Sequence, residues 1–322
     1  MIYGEWALAL NLFTIAVLSF SVAHVFISLL FSSVKNKIHR YTISTRKSLL
    51  WLSVLSPWLM ALFVSIFFSP FFQSTASFTW LTALAHWHHP DIFYFVSWHS
   101  MSLIIFISFT CYIAVRKIML AYKNNHQVKI LRTLGTKNNA GVFIIDSSIP
   151  TAFTGGLSHP SCFVSTGLIE QLSTDDIEII IQHELAHAHY NDPLKKWLFS
   201  FFAAYFTPNV KQIQVAMMAI TMEQAADSFF VKSQRQAHKV ASTLVKFTKL
   251  AAKYSLDEKY KNELLVHFCR QSIEQRVLQL LTDNQLKPFP IKIVLFGIIL
   301  LAVISTTSVD SLHHGIETLF NH

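Results

Sequence analysis

The residues that could carry chemistry lie in the stretch QHELAHAHYND, from Gln182 to Asp192. His183 and His187 differ by four positions, so on a helix their imidazoles lie on one face, one turn apart. Glu184 is turned by about 100° from His183, so it can reach an attacking water without being a ligand itself. This H-E-x-x-H arrangement predicts one Zn²⁺ per chain, with Glu184 as the general base of a hydrolase.

A third ligand decides between a metal site and accidental spacing. Metzincin spacing would need Gly and His at positions 190 and 193, but Tyr190 and Pro193 stand there. The stretch MEQAAD offers Glu223 and Asp227, again four apart on one helical face. We expect Glu223 to complete a site of two histidines and one glutamate with an open fourth position. Asp227 is expected to accept the free ring N–H of a ligating histidine.

The elements that must position these residues are predicted to be helices beside a small β part. Ser173 is the predicted N-cap of the helix that carries the motif, with Asp176 three positions later. Asn191 and the residues after it are predicted to end that helix. Two strand-like runs precede it, Gly141–Asp146 and Cys162–Thr166, separated by a segment rich in turn residues.

Composition indicates a membrane protein. Of the 322 residues, 52% are hydrophobic and 14% are charged, and the mean hydropathy is +0.41. A soluble domain has about 25% charged residues, so a large soluble enzyme is not expected. The net charge of +8 fits cytoplasmic loops that face anionic lipid, and we expect no direct nucleic-acid binding.

Four uncharged runs approach the length that crosses a bilayer, which is about 20 apolar residues. These runs are Trp6–Val34, Ser48–Phe72, Ile92–Val115 and Ile293–Val309. Lys and Arg concentrate in the loop 35–47 and again in 116–292, whereas 73–91 and 310–322 contain neither. The distribution predicts a multi-pass protein with both termini outside and with 35–47 and 116–292 in the cytoplasm.

The predicted organisation has four parts along the chain. These are a three-helix transmembrane region at 1–119, with a basic cytoplasmic loop 35–47 and an outer loop 73–91; a cytoplasmic zinc metalloprotease domain at 120–290; a fourth transmembrane helix at 291–309; and a short outer tail at 310–322. The fold class is therefore a mainly α membrane protein, with four transmembrane helices and a cytoplasmic α+β protease domain inserted between the third and fourth.

The motifs together resemble a family. H-E-x-x-H followed by E-x-x-A-D at Glu223–Asp227, with three spans before them and one after, resembles the integral-membrane gluzincins. The nearest group is the peptidase domain of the β-lactam sensor-transducers, the penicillinase and methicillin-resistance receptors. The CAAX prenyl protease type I and heat-shock membrane protease families are related groups. The resemblance implies a zinc metalloendopeptidase of a bacterial inner (cytoplasmic) membrane.

Two further assignments come from this resemblance. AFTGGLSHPSCFVSTGLIEQL resembles the strand and turn before the zinc helix, which implies that Phe163, Val164 and Ser165 pair with the substrate backbone. An ordinary edge strand is the alternative. RQSIEQRVLQLL places Arg276 where the prenyl proteases have an arginine, which implies a catalytic cation near the oxyanion. A structural salt bridge is the alternative for Arg276.

Three functions stay open at this stage. The first is an endopeptidase that cleaves a cytoplasmic or membrane protein, such as a transcriptional repressor in a signalling pathway. The second is a quality-control protease for membrane proteins. The third is a non-catalytic signalling or scaffold protein with structural zinc, although structural sites usually have four protein ligands. The expected partners are a protein substrate and the lipid bilayer, and the sequence leaves open a homodimer.

The predicted sidedness can be tested with single cysteines in a cysteine-free background. Positions 37 and 261 should be protected from an impermeant thiol reagent in whole cells, because both lie in lysine-rich segments predicted to be cytoplasmic. Positions 79 and 317 should react. Labelling of position 261 in whole cells would contradict the assignment.

Overall fold

The computed structural model describes residues 1–75, 91–229, 231, 233–255, 273–282 and 286–320. These residues form two compact units. The first consists of residues 1–115, 202–211 and 287–322, and the second of residues 116–201 and 212–286. Most of the predicted outer loop 73–91 and the last two residues of the tail lie outside the described residues.

Four helices in the described residues are long and apolar enough to cross a membrane, as predicted. They are α1 (Glu5–Val34), α2 (Ile43–Phe67), α4 (Trp98–Leu134) and α10 (Ile291–Phe320). A 3₁₀ helix, Lys35–Arg40, extends α1, and a short helix α3, Pro70–Thr75, follows α2. Four membrane-spanning helices are thereby confirmed by length and composition.

The third and fourth of these apolar helices, α4 and α10, have bounds that differ from those predicted. The third begins at Trp98, because Ile92–Phe93 forms a strand, β2, that pairs antiparallel with β1, Ile2–Tyr3. The Gly4 N–H also donates to the Asp91 carbonyl at 3.1 Å. Hydropathy alone does not separate an apolar strand from the start of an apolar helix. The fourth helix continues past Val309 to Phe320, through most of the predicted tail.

The first unit is held together by close helix packing and an aromatic cluster. Ile15 of α1, Val64 of α2 and Val309 of α10 are buried in one core cluster. A second contact joins Phe20, Trp58 and Tyr205, with ring centroids 4.9–5.6 Å apart. Tyr205 belongs to the short 3₁₀ helix Ala203–Tyr205. Tyr205, which belongs to the first unit, therefore packs against the apolar helices of that unit.

The second unit contains a four-stranded sheet in the order β3-β4-β6-β5. The strands are β3 (Thr136–Lys137), β4 (Phe143–Ile145), β5 (Ala152–Gly155) and β6 (Ser161–Ser165). β6 pairs parallel with β4 and antiparallel with β5, so both of its edges are occupied. Val142, Cys162 and Val164 form a buried core with Ile180, which belongs to the helix that carries the H-E-x-x-H motif.

Two glycines permit tight backbone packing around this sheet. Gly156, in the turn between β5 and β6, has φ +104°, and a Cβ there would meet the His159 carbonyl oxygen at 2.8 Å. A Cβ at Gly167, just after β6, would meet the Ser148 carbonyl oxygen at 2.2 Å. Both positions therefore require the absence of a side chain.

Five helices follow the sheet along the chain. They are α5 (Thr166–Gln171), α6 (Thr174–His189), α7 (Asp192–Phe202), α8 (Pro208–Phe229) and α9 (Gln234–Ser255). Residues 273–281 are also helical. The predicted N-cap is confirmed, because the Ser173 side chain accepts the Asp176 N–H at the start of α6. The predicted end is also confirmed, since α6 ends at His189, and α7 starts as a separate helix.

A buried carboxylate ties α6 to α9. Asp176 accepts hydrogen bonds from Ser173 and Thr243 at 2.6 Å and from Lys246 at 2.8 Å. Burial opposes ionisation, but Lys246 and the two hydroxyls outweigh it and lower the pKa of Asp176 to about 2. The ionised carboxylate therefore stabilises the start of the helix that carries the motif.

Asp176→Asn should lower the free energy of unfolding by about 1–3 kcal/mol, because Lys246 and Thr243 lose their charged acceptor. Asp175→Asn is the matched control, since Asp175 is exposed and pairs with the exposed Lys239. The stabilisation in the parent is complete above the ordinary pKa of 3.8 and is lost as the pH falls towards 2. Thermal unfolding in detergent should therefore show a smaller acid dependence in Asp176→Asn. Equal acid dependence would contradict this role.

Candidate metal centre

Three ligand atoms from two helices converge in the second unit. His183 and His187 lie on α6, and Glu223 lies on α8. The two Nε2 atoms are 3.2 Å apart, and Glu223 Oε2 lies 3.3 Å from the first and 3.5 Å from the second. The i, i+4 spacing on α6 turns both imidazoles the same way, and α8 supplies the carboxylate from the facing side.

This arrangement fits a zinc ion. Ligand bonds of about 2.0–2.1 Å in a tetrahedron place the ligand atoms about 3.3–3.4 Å apart, which is close to the three distances above, 3.2–3.5 Å. Two imidazole nitrogens and one carboxylate oxygen are a donor set of catalytic zinc, with the fourth position open. Among the described residues, this is the one group of three or more metal-ligating side chains with mutually close ligand atoms.

Each histidine is oriented by a carboxylate behind it. His183 Nδ1 lies 3.0 Å from Asp227 Oδ1, and His187 Nδ1 lies 2.7 Å from Asp192 Oδ2. A ring N–H at Nδ1 leaves the Nε2 lone pair free to face a metal. The first contact is the one expected from the sequence. Asp192 was missed as an orienting residue, although its place five residues after His187, at the start of α7, was a usable signal.

The site is electrostatically prepared for a cation. Burial disfavours the His183 imidazolium, but Asp227 and Glu223 outweigh burial and raise the pKa of His183 to about 9. Burial also opposes ionisation of Glu223, yet the two histidines and Lys196 hold its pKa well below the usual range. The carboxylates that favour the protonated histidine here would equally favour a divalent metal, whose binding displaces the ring proton.

Arg276 lies behind the ligands, on the helical segment 273–281. Its Nε and Nη2 each donate to Asp227 at 2.7 Å, and its Nη1 lies 3.4 Å from Glu223 Oε2. The salt bridge that the sequence offered as an alternative is therefore present. The guanidinium also lines the cavity beside the ligands, and its role near an oxyanion stays a prediction.

Glu184 faces a cavity of about 270 Å³ beside the three ligands. Its Oε2 accepts a hydrogen bond from the Thr154 hydroxyl at 2.8 Å. The polar end of the cavity is formed by His183, Glu184, Glu223 and Arg276. Its apolar wall is formed by side chains of α6 and α9, namely Ile179, Ile180, Val240, Leu244 and Phe247. The carboxylate of Glu184 and two of the ligands thus line one pocket, which could admit an apolar side chain.

Substrate binding by Phe163, Val164 and Ser165 stays a prediction, and the strand that carries them has no open edge for it. β6 lies between β4 and β5, so its backbone groups are already paired on both sides. The Phe163 ring stacks between Phe143 and Phe153 at 5.4 and 5.1 Å. Val164 is buried in the core beneath α6.

Ser165 has a structural role instead. Its hydroxyl oxygen accepts the Leu168 N–H at the start of α5 and the Thr151 N–H before β5. It is completely buried. The side chain therefore caps a helix and is not available to a substrate.

The strand beside the cavity is β5, whose role the sequence analysis missed. Ser165 N–H donates to the Thr151 carbonyl, and residue pairing alternates along an antiparallel ladder. The N–H and C=O groups of Ala152 and Thr154 therefore point away from β6. Within the described residues no strand pairs with that edge. Ala152 lines the cavity, and the Thr154 hydroxyl contacts Glu184.

Two comparisons with known proteins bear on this site. Residues 124–266 match the model of Peptidase family M48. The chain is also similar to a protein named Protease HtpX homolog from Thermodesulfovibrio yellowstonii, with 35% identity over 102 residues, which covers 27% of this chain and 36% of that protein. The chain thus spans about a third of the length of this relative. Together with the four apolar helices, these findings make the chain similar to membrane-associated M48 metallopeptidases.

The family match includes the three ligands, His183, His187 and Glu223, together with Glu184 and Asp227. Arg276 lies beyond it. The closer resemblance to β-lactam sensor-transducers and to CAAX prenyl proteases finds no support in these comparisons and stays a prediction.

Removing any of the three ligands should abolish stoichiometric zinc. His183→Ala, His187→Ala and Glu223→Ala should each purify without the one zinc per chain that we expect in the parent. Asp227→Asn and Asp192→Asn should retain zinc but bind it about 10–100-fold more weakly, because the imidazoles lose their orienting acceptors. Elemental analysis and competition with a chelator measure both effects. Asp175→Asn is the control, and parental affinity in Asp192→Asn would contradict the orienting role.

Proposed function

We propose that this chain is a membrane-embedded zinc metalloendopeptidase that hydrolyses peptide bonds of a cytoplasmic or membrane protein. The convergence of His183, His187 and Glu223 with Glu184 at the cavity carries the proposal. Three protein ligands leave a fourth position open, and an unliganded carboxylate stands beside it. A structural zinc in a scaffold protein would need neither the open position nor the cavity.

Glu184 is the proposed proton carrier of the reaction. When bound, Zn²⁺ supplies Lewis acidity that activates water and polarises the peptide carbonyl. Glu184 accepts the proton of the attacking water and later delivers it to the amine that leaves. His183 and His187 hold the metal, and Asp227 and Asp192 keep both rings in one orientation. Arg276 is proposed to place positive charge near the developing oxyanion while it holds Asp227.

The free edge of β5 is the proposed docking site for the substrate backbone. An extended peptide beside this edge would receive hydrogen bonds from the outward N–H groups of Ala152 and Thr154 and donate to their carbonyls. This places the peptide along the mouth of the cavity, because Ala152 lines it. A substrate side chain next to the cleaved bond then enters the pocket between α6 and α9, whose wall is apolar. An aliphatic or aromatic residue at that position fits it best.

The membrane helices restrict which substrates meet the site. Four apolar helices anchor the chain in lipid, and the distribution of Lys and Arg supports a cytoplasmic position for residues 116–292 in a bacterial inner membrane. The substrates would then be cytoplasmic proteins or the cytoplasmic parts of membrane proteins. Cleavage of a transcriptional repressor rests on the sensor-transducer resemblance alone, and membrane-protein quality control is the alternative.

Glu184→Gln should keep zinc and lose proteolysis by at least about 100-fold, because the amide cannot take the proton of the water. Glu178→Gln is the matched control, since Glu178 lies on the exposed face of the same helix. Zinc content and cleavage of a peptide library by the purified protein measure the two effects. Full activity in Glu184→Gln would refute the assignment. Proteins that accumulate in a Glu184→Gln strain, but not in a Glu178→Gln strain, are the substrate candidates.

A further inference from the structure

Thr154 makes two contacts with Glu184. Its hydroxyl oxygen lies 2.8 Å from Glu184 Oε2 and 2.7 Å from the main-chain oxygen of the same residue. Thr154 is a residue of β5, whereas Glu184 lies on α6. One side chain of the edge strand thus holds both the carboxylate and the backbone of the proposed general base.

A hydroxyl has one hydrogen and two lone pairs, so the two contacts cannot both be donated at once. When Glu184 is ionised, the hydroxyl donates to Oε2. When Glu184 takes up the proton of the water at its other oxygen, Oε1, Oε2 remains an acceptor, so the Thr154 hydroxyl keeps the same bond and the proton stays available for delivery. Thr154 neither gains nor loses a proton. Both protonation states of Glu184 can therefore keep the same position.

We propose that Thr154 is the positioning residue that keeps Glu184 in one orientation before and after it takes up the proton. The proposal rests on the proposed function, in which Glu184 carries the proton. A carboxyl group that must first accept and then deliver a proton loses rate if it reorients between the two steps. A hydroxyl that donates to Oε2 in both states prevents that reorientation.

The place of Thr154 in the sheet adds a second consequence. Its backbone N–H and C=O point to the free edge of β5, while its side chain points to α6. A substrate strand that pairs with the edge therefore orders the same residue that orients Glu184. This links backbone docking to the orientation of the base through one residue.

The kinetic test compares three single substitutions. Thr154→Val keeps the β-branched shape but removes the hydroxyl, and it should lower kcat about tenfold with KM and zinc affinity unchanged, because one hydrogen bond to Glu184 is lost. Thr154→Ser keeps the hydroxyl and should restore kcat. Thr151→Val is the control, since that hydroxyl contacts the main-chain oxygen of Ile149. A parental kcat in Thr154→Val, a change in KM or zinc affinity alone, or a Ser variant as slow as the Val variant would overturn the proposal.

A double-mutant cycle tests the same contact without relying on activity. Thr154→Val, Glu184→Ala and the double variant are compared by thermal unfolding of the metal-free full-length protein in detergent. The two changes should be non-additive, because each removes the same hydrogen bond. Additive effects would overturn the proposal even if the enzyme is active. If the effects are non-additive but the protein cleaves no peptide, the proposed function is refuted. The contact between Thr154 and Glu184 is then still supported.

Discussion

The candidate site depends on the contacts of the partly buried Glu223 carboxylate. It faces the two Nε2 atoms with one oxygen, and Lys196 lies 3.2 Å from the other. A buried negative charge is unfavourable unless cations and hydrogen-bond donors surround it. The partners of Glu223 on α8 come from α6, from α7 and from the segment that carries Arg276, so these elements meet in one cluster. The same charge that requires these partners also makes the site a binding place for a divalent metal.

The other charged groups around Glu223 are paired with groups of opposite charge. Asp227 holds His183 on one side and Arg276 on the other, and Asp192 holds His187. Each negative group thus faces a group that is or can be positive, so few charges are left uncompensated in the interior. Because each imidazole contacts a carboxylate at both of its ring nitrogens, the two rings have little freedom to turn. A site built in this way is preorganised before the metal binds.

Side chains alternate between the two faces of the sheet, and this alternation decides which residues reach the candidate site. In β5 and β6, alternate residues face α6, which places Thr154 against the motif helix and turns Phe163 to the opposite face. The sheet order leaves β5 at the edge and encloses β6. We therefore propose that the substrate binds to β5, the neighbour of the strand that the sequence resemblance suggested. The apolar wall from α6 and α9 then completes a cleft with one polar and one apolar side.

The sequence alone determined the features that depend on local spacing. The four membrane helices follow from uncharged length, and the paired histidines, Glu223 and Asp227 follow from i, i+4 geometry within single helices. The tertiary structure alone decided which strand forms the edge, which carboxylate orients His187 and what holds Glu184 and Arg276. Those features depend on strand order and on contacts between residues far apart in the chain, and no local period or spacing encodes them.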